Sequence, residues 1–278
     1  MKKSALAAPL SSTSLPFAGE SEEVLLRKSF VSHLIIPDWP APLNVRSMQT
    51  TRLGGVSTAP YDSLNLGMHV GDDVLRVARN RMLLNRILPS EPVWLEQVHG
   101  TVVADADRAS CVPQADACIA RRGVCVVMTA DCLPVLLCDK QGSVVAAVHA
   151  GWRGLAAGVI DAAVHAMDVS PDNLMAWLGP AISQDAFEVG DEVRATFMDA
   201  DAATATAFTP SHLKGEGRGE GDKWQADIYA LAGRRLQLLG VTDVYGGDRC
   251  TYRESDQFFS YRRDGVTGRM GTFIWLER

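Results

Sequence analysis

The sequence has no apolar run long enough to cross a membrane. Its longest apolar region, VCVVMTADCLPVLLCD, is broken by Asp131 and Pro134 and falls short of the roughly 18 to 20 residues that a spanning helix needs. It also has no excess of positive charge: 27 Lys and Arg stand against 33 Asp and Glu, a net charge of −6, which argues against a duplex nucleic-acid footprint. None of the six cysteines forms a C-x-x-C pair, so a structural zinc ribbon is not expected, and so few cysteines in a chain this long fit a reducing compartment rather than a disulfide scaffold. No internal repeat is visible. The opening MKKSALAAPLSSTSLPFAGE carries two lysines, but Pro9 and the serines cut its apolar part short of a signal-peptide core. Residues 1–32 are therefore expected to be a disordered extension of a cytoplasmic protein.

What remains is 278 residues, 47% of them hydrophobic, enough for a substantial core. HLIIPDW, NVRSMQTT, PVWLEQVHG, VCVVMTA, PVLLCD, VVAAVHA, LMAWLGP, VTDVYG and GTFIWLE read as strands. Helical spacing runs from Asp72 to Leu88, from Leu155 to a stop at Pro171, through DEVRATFMDA, and through WQADIYALAGRRLQLLG. TRLGGVSTAPYDSLNLG and residues 200–222 read as loops. No linker divides residues 33–278, so the expectation is one α/β domain with its sheet concentrated in the middle of the chain. Cys111, Cys118, Cys125 and Cys132 recur every seven residues, but Pro113 and Gly123 break any single helix through them and the spacing is read as coincidence.

His99 in EQVHG, Cys132 in TADCLP and His149 in VHAGWRG fall at the ends of predicted strands. Two imidazoles and a thiolate suit zinc and leave a fourth position open. The alternative for each residue alone is a satisfied polar histidine or a small buried thiol. Around them stand groups that bind anions: Arg52, beside Gly54 and Gly55, and Arg153, at the start of a helix where backbone N–H groups add to its charge. Asn65, His69, Asp131 and Glu188 are further polar candidates, each equally readable as a turn or cap residue.

TRLGGVSTAPYDSLNLG, EQVHG, TADCLPVLL, VHAGWRG, LGPAISQDAFEVG and DRCTYRESDQFFSYRRDG resemble, in order and spacing, the YfiH-like family, across residues 33 to 277. Its members carry the label multicopper polyphenol oxidase or laccase-domain protein, and some are described as purine nucleoside phosphorylases. The resemblance implies a single domain of mixed β-sheets flanked by helices, similar to the cytotoxic necrotizing factor catalytic domain. It also implies a zinc ion on His99, Cys132 and His149, and phosphorolysis of adenosine, inosine, guanosine and methylthioadenosine with deamination of adenosine. On this reading Cys132, His149 and Glu188 serve catalysis, Arg52, Asn65 and Arg153 bind substrate and phosphate, and Asp131 is a weaker proton carrier. Gly151 and Gly154 let backbone approach a ligand, and Trp152 either stacks on a purine or packs. The expected partners are a small-molecule nucleoside and phosphate, with no nucleic acid and no membrane, and the chain is expected to be a monomer or weak homodimer.

Two rivals remain at this level. A multicopper oxidase needs a trinuclear cluster fed by paired histidines, and six histidines with no H-x-H pair cannot supply a full complement; copper-dependent phenol oxidation is at most a side activity. Alternatively, Cys132 and His149 act without metal as nucleophile and base in a cysteine hydrolase, in line with relatives called peptidoglycan-editing factors.

Overall fold

The apolar runs in the middle of the chain become strands buried on both faces, as both-sided burial requires of a near-continuous hydrophobic run. This is seen in a computed structural model of the protein, which describes residues 30–211 and 223–277. Six strands form the central sheet in the order β12-β8-β6-β7-β4-β3: β3 (Val103–Asp105), β4 (Ala117–Ala120), β6 (Leu133–Asp139), β7 (Val145–Ala150), β8 (Leu174–Leu178) and β12 (Asp243–Gly246). The β6–β7 hairpin is antiparallel, with Pro134 opposite His149, so the short connection makes neighbours of the two strands as expected.

A second sheet runs β1-β2-β13-β5, from β1 (Leu34–Ile35), β2 (Val45–Thr50), β5 (Val124–Thr129) and β13 (Met270–Leu276). The strand VCVVMTA therefore does not join PVLLCD and VVAAVHA in one sheet; it pairs with the C-terminal strand instead. Side chains alternate across the layers. Leu133, Val135, Leu137, Ala146 and Val148 face helices, while Leu136, Cys138, Val145 and Ala147 pack with Cys125, Val127 and Ile274 of the second sheet. Each fully buried Leu or Val here contributes about 1.5–3 kcal/mol by leaving water.

The helical layer consists of α2 (Trp152–Ala157), α3 (Val159–Met167) and α5 (Ile228–Leu239), with α4 (Asp191–Ala200) beside it; α1 (Val74–Leu84) lies apart. The helix expected from Leu155 begins at Trp152 and is broken at Gly158, whose φ of +95° is open to glycine alone without strain. It ends at Met167, with Asp168 in the left-handed region, before Pro171 can act. The helix expected from Trp224 begins only after Asp227, which accepts from the N–H of Ala230, because Lys223–Ala226 is strand β11. That strand pairs with β9 (Glu188–Gly190) and β10 (Phe208–Pro210) in a small third sheet. The 200–211 region is thus not plain loop: Ala202–Ala207 is a 3₁₀ helix leading into β10, and the loop expected over 212–222 lies outside the described residues.

PVWLEQVHG is not a strand. It makes isolated bridges only, because side chains take its place in the ladder and satisfy the backbone groups. Gln97 accepts from Met128 N and donates to Met128 O, and Asp116 accepts the N–H groups at the segment's end. The expected extension over residues 1–32 lies largely outside the described residues, but Phe30 is buried in a cluster with Met48, Leu64 and Phe273, which sets the folded boundary before residue 33. Among the described residues no helix is long and apolar enough to cross a membrane.

Candidate metal centre and its cleft

The site grows from one buried carboxylate. Asp116 is fully buried just before β4, and its Oδ1 accepts from His99 N at 2.9 Å and bonds His149 Nδ1 at 2.8 Å. Its Oδ2 accepts from Val98 N at 3.1 Å and Gly100 N at 2.6 Å. These bonds hold His99 in the left-handed region at φ +61°, a conformation uncommon for a residue with a Cβ. They also commit Nδ1 of His149 to the carboxylate and leave Nε2 for a ligand, the arrangement by which outer carboxylates orient metal-binding histidines.

His99, Cys132 and His149 then present ligand atoms within 4.8 Å of one another. Cys132 Sγ lies 3.7 Å from His99 Nε2; two ligands with zinc-type bond lengths on a tetrahedron are separated by about 3.6 Å. Gly151 makes the approach possible, since a Cβ there would stand 2.6 Å from His99 Cδ2 and 3.0 Å from Cys132 Sγ. A Cβ on Gly154 would stand 3.1 Å from the carbonyl of Gly100. Both glycines thus make room for protein groups, not for a small ligand as expected. The donor set and spacing fit a metal ion.

Electrostatics bind the three together. Burial pushes the Cys132 thiol up, but the neighbouring imidazoles of His149 and His99 outweigh it and bring it to about 6. Burial pushes His149 down, and the Cys132 sulfur and the Asp116 bond raise it to about 9. Burial likewise works against ionised Asp116, while His149 and the backbone N–H groups hold its carboxyl below the usual range.

The cluster lines a cleft of about 700 Å³, within the range of small-molecule sites. One wall is apolar, built from Ile182, Phe187, Val189, Val193 and Ile228; Arg153, Arg262 and Arg269 line it as well. Glu188 is half-buried in the lining, and its Oε2 accepts from Ser211 Oγ at 2.7 Å. Trp152 packs against the helical core with the Arg153 guanidinium 4.6 Å from its ring. His69 also lines the cleft, held below its usual pKa by burial and by Arg269 and Arg81.

Two expected residues are not brought to the cleft lining. The Arg52 guanidinium donates to Asp62 O and Ser255 O, at 3.0 and 2.9 Å, and pairs with the Asp62 carboxylate, so it joins two loops. Asn65 is fully buried, donating to Gly67 O and Asp72 Oδ2 while its Oδ1 accepts from Gly67 N and Arg269 N. Asp131, at φ +100°, spends Oδ1 on Thr251 Oγ1 and Oδ2 on Arg262 N, each at 2.7 Å; its carboxylate anchors a helix start. Sequence reasoning missed Asp116, Arg262 and Arg269. The signal for Asp116 was a lone acid entering an all-apolar strand, which burial obliges to find partners.

Residues 46–277 match the family model described as multi-copper polyphenol oxidoreductase laccase. Purine nucleoside phosphorylase YfiH of Escherichia coli is 53% identical over 251 residues, covering 88% of this chain and all of the relative. A Pseudomonas aeruginosa purine nucleoside phosphorylase is 53% identical over 245 residues, covering 87% of this chain and 98% of its own. The crystal structure of a Neisseria meningitidis protein of the DUF152 family superposes with a TM-score of 0.83 at 51% identity, covering 88% of this chain and 100% of that one.

Proposed function

The chain belongs to the multi-copper polyphenol oxidoreductase laccase family, and from that membership and the cleft's chemistry we propose that it is a zinc-dependent purine nucleoside phosphorylase that also deaminates adenosine. The observation that carries the reading is the union, in one cleft, of a two-histidine, one-cysteine cluster, an apolar wall and arginines. The close relatives named purine nucleoside phosphorylases support it.

In phosphorolysis a phosphate oxygen forms a bond to ribose C1′ as the C1′–N9 bond breaks. The bonding pair leaves with the purine, and the proton of hydrogenphosphate ends on the base. The apolar wall suits a flat purine and excludes water around the developing charges. Arg153, on the first turn of α2, meets anionic phosphate, and Glu188 faces the base as a hydrogen-bond acceptor or proton carrier. His99, Cys132 and His149 would hold the zinc, with Asp116 fixing the histidine tautomer. When bound, the metal supplies a Lewis acid that polarises oxygen and brings water's pKa toward neutrality, the chemistry that deamination at adenine C6 requires.

The six histidines of the chain and the one His/Cys/Asp/Glu ligand group among the described residues favour zinc over a multicopper complement. A second reading has its own observation: Cys132, His149 and Asp116 line up as nucleophile, base and orienting carboxylate, the order of a cysteine hydrolase. One experiment separates the two. Tag-free protein is analysed for metal by mass spectrometry, and adenosine plus phosphate is followed by chromatography, for wild type and Cys132→Ala. About one zinc per chain, with adenine or with inosine and hypoxanthine formed, and loss of both in the variant is expected. No metal and no purine product would turn the assignment to the hydrolase.

A further inference from the structure

Many arginines elsewhere in the fold find carboxylates: Arg234 meets Asp201 at 2.7 Å, and Arg235 and Arg249 meet Asp161 and Glu254 at 2.5 Å. Those in the cleft do not. Arg153, Arg262 and Arg269 line it, and none has a carboxylate oxygen within 4.0 Å among the described residues. Two of them are also held in place by main chain. Arg269 donates through Nη1 to Thr267 O at 3.1 Å and Gly268 O at 3.0 Å, and its backbone N–H is bound by Asn65 Oδ1 at 2.9 Å. Arg262 donates through Nη1 to Glu188 O at 2.9 Å, and its backbone N–H is bound by Asp131 Oδ2 at 2.7 Å. In both, Nε and Nη2 have no hydrogen-bond partner among the described residues. A guanidinium edge left open in this way matches a phosphate bidentately.

Arg269 is partly buried, and a guanidinium so placed without a counter-ion is costly unless an anion completes it; Arg262 stands exposed at the cleft, where its open edge is free to meet a ligand from solvent. Burial does press on Arg269, lowering its pKa, while the Cys132 sulfur and the Asp131 carboxylate oppose it; Arg269 lines the same cleft as His99, Cys132 and His149. Arg262 is tied there too, since Asp131, which binds its N–H, precedes Cys132 in the chain.

We propose that Arg269 and Arg262 form the phosphate cradle of the cleft, holding inorganic phosphate beside the His99–Cys132–His149 cluster with its attacking oxygen toward the ribose. This rests on the phosphorylase reading for the reaction, but the anion site itself is testable without turnover. Both arginines act as positioning residues for the nucleophile, and Asn65 and Asp131 hold their main chain.

The test measures phosphate KM and nucleoside KM for Arg269→Gln, Arg262→Gln and Arg269→Lys, beside calorimetric binding of inorganic phosphate to the zinc-loaded proteins. Each Gln variant is expected to raise phosphate KM and phosphate Kd by roughly tenfold or more, with Arg269→Lys between it and wild type. Nucleoside KM should move by less than about twofold. Should Arg269→Gln fail to fold, Arg262→Gln carries the test alone. Wild-type phosphate binding and KM in a folded Gln variant would overturn the cradle. Phosphate binding that weakens in the variants while wild type shows no phosphorolysis would leave the cradle standing and overturn the reaction.

Discussion

Replacing Asp116 by Asn tests whether the ligand cluster is organised by its buried carboxylate. The substitution preserves shape and removes charge. If the remaining oxygen stays with His99 N and His149 Nδ1, the new NH₂ group faces the N–H groups of Val98 and Gly100, which now donate to Oδ2 at 3.1 and 2.6 Å. Two charge-assisted bonds are lost, at about 1.5–3 kcal/mol each, or about 3–6 kcal/mol in all. For a chain of this size each kcal/mol lowers Tm by about 2–4 °C, so a drop of roughly 6–24 °C is expected. Because Asp116 orients His149, zinc affinity should fall by about 10- to 100-fold. Competition with a chromophoric chelator on metal-free protein, beside thermal unfolding, reads both quantities. The pH dependence adds a third. A carboxyl held below its ordinary 3.8 when folded contributes stability that is complete above the unfolded value and lost as pH falls through the folded one. Wild type should therefore lose more stability below about pH 4 than Asp116→Asn does, since Asp107 and Glu254, also held low, keep a smaller acid limb in the variant. Zinc affinity within twofold of wild type and an unshifted Tm would refute the role given to Asp116.

The remaining predictions concern the ligands themselves. Gly151→Ala puts a methyl carbon 2.6 Å from His99 Cδ2 and 3.0 Å from Cys132 Sγ, so zinc per chain by mass spectrometry should fall well below the wild-type value while the fold persists; full occupancy would show that the close approach is not needed. In metal-free protein the rate of Cys132 alkylation by iodoacetamide should reach half its maximum near pH 6, and zinc should suppress it. A midpoint near the ordinary thiol value of about 8.5 would contradict the thiolate–imidazolium pairing.

The ligand cluster was legible because its members sit in motifs with distinct patterning. The turn between PVLLCD and VVAAVHA is too short for anything but a hairpin, so Cys132 and His149 had to be neighbours. His99 does come together with Cys132 and His149, but by another local route than expected: it lies on a loop held by Asp116, not at a strand end. Arg52 looked right because glycines flank it, yet its donors are taken up by loop carbonyls, a fact decided by distant Ser255. Arg269 was invisible for the converse reason. The insertion of β13 beside β5, with Met270 opposite Thr129, and the backbone bonds of Arg269 to Asn65 and Leu66 bring it to the cleft that Cys132 lines, and long-range pairing of that kind leaves no local trace.

That insertion also sets an order of events as the chain is made. Strand β13 lies between β2 and β5, so the second sheet stays split into two pieces until β13 has left the ribosome. The segment from His99 to His149 contains all three ligands and the β6–β7 hairpin, and it emerges long before the strand that brings Arg269. Domains fold as their contacts become available, and contacts between distant residues form slowly. His99, Cys132 and His149 are therefore able to come together first, with Arg153 just behind them, and Arg262 and Arg269 follow only with the segment leading into β13, so a nascent chain that stops short of it has the candidate ligands without the proposed cradle.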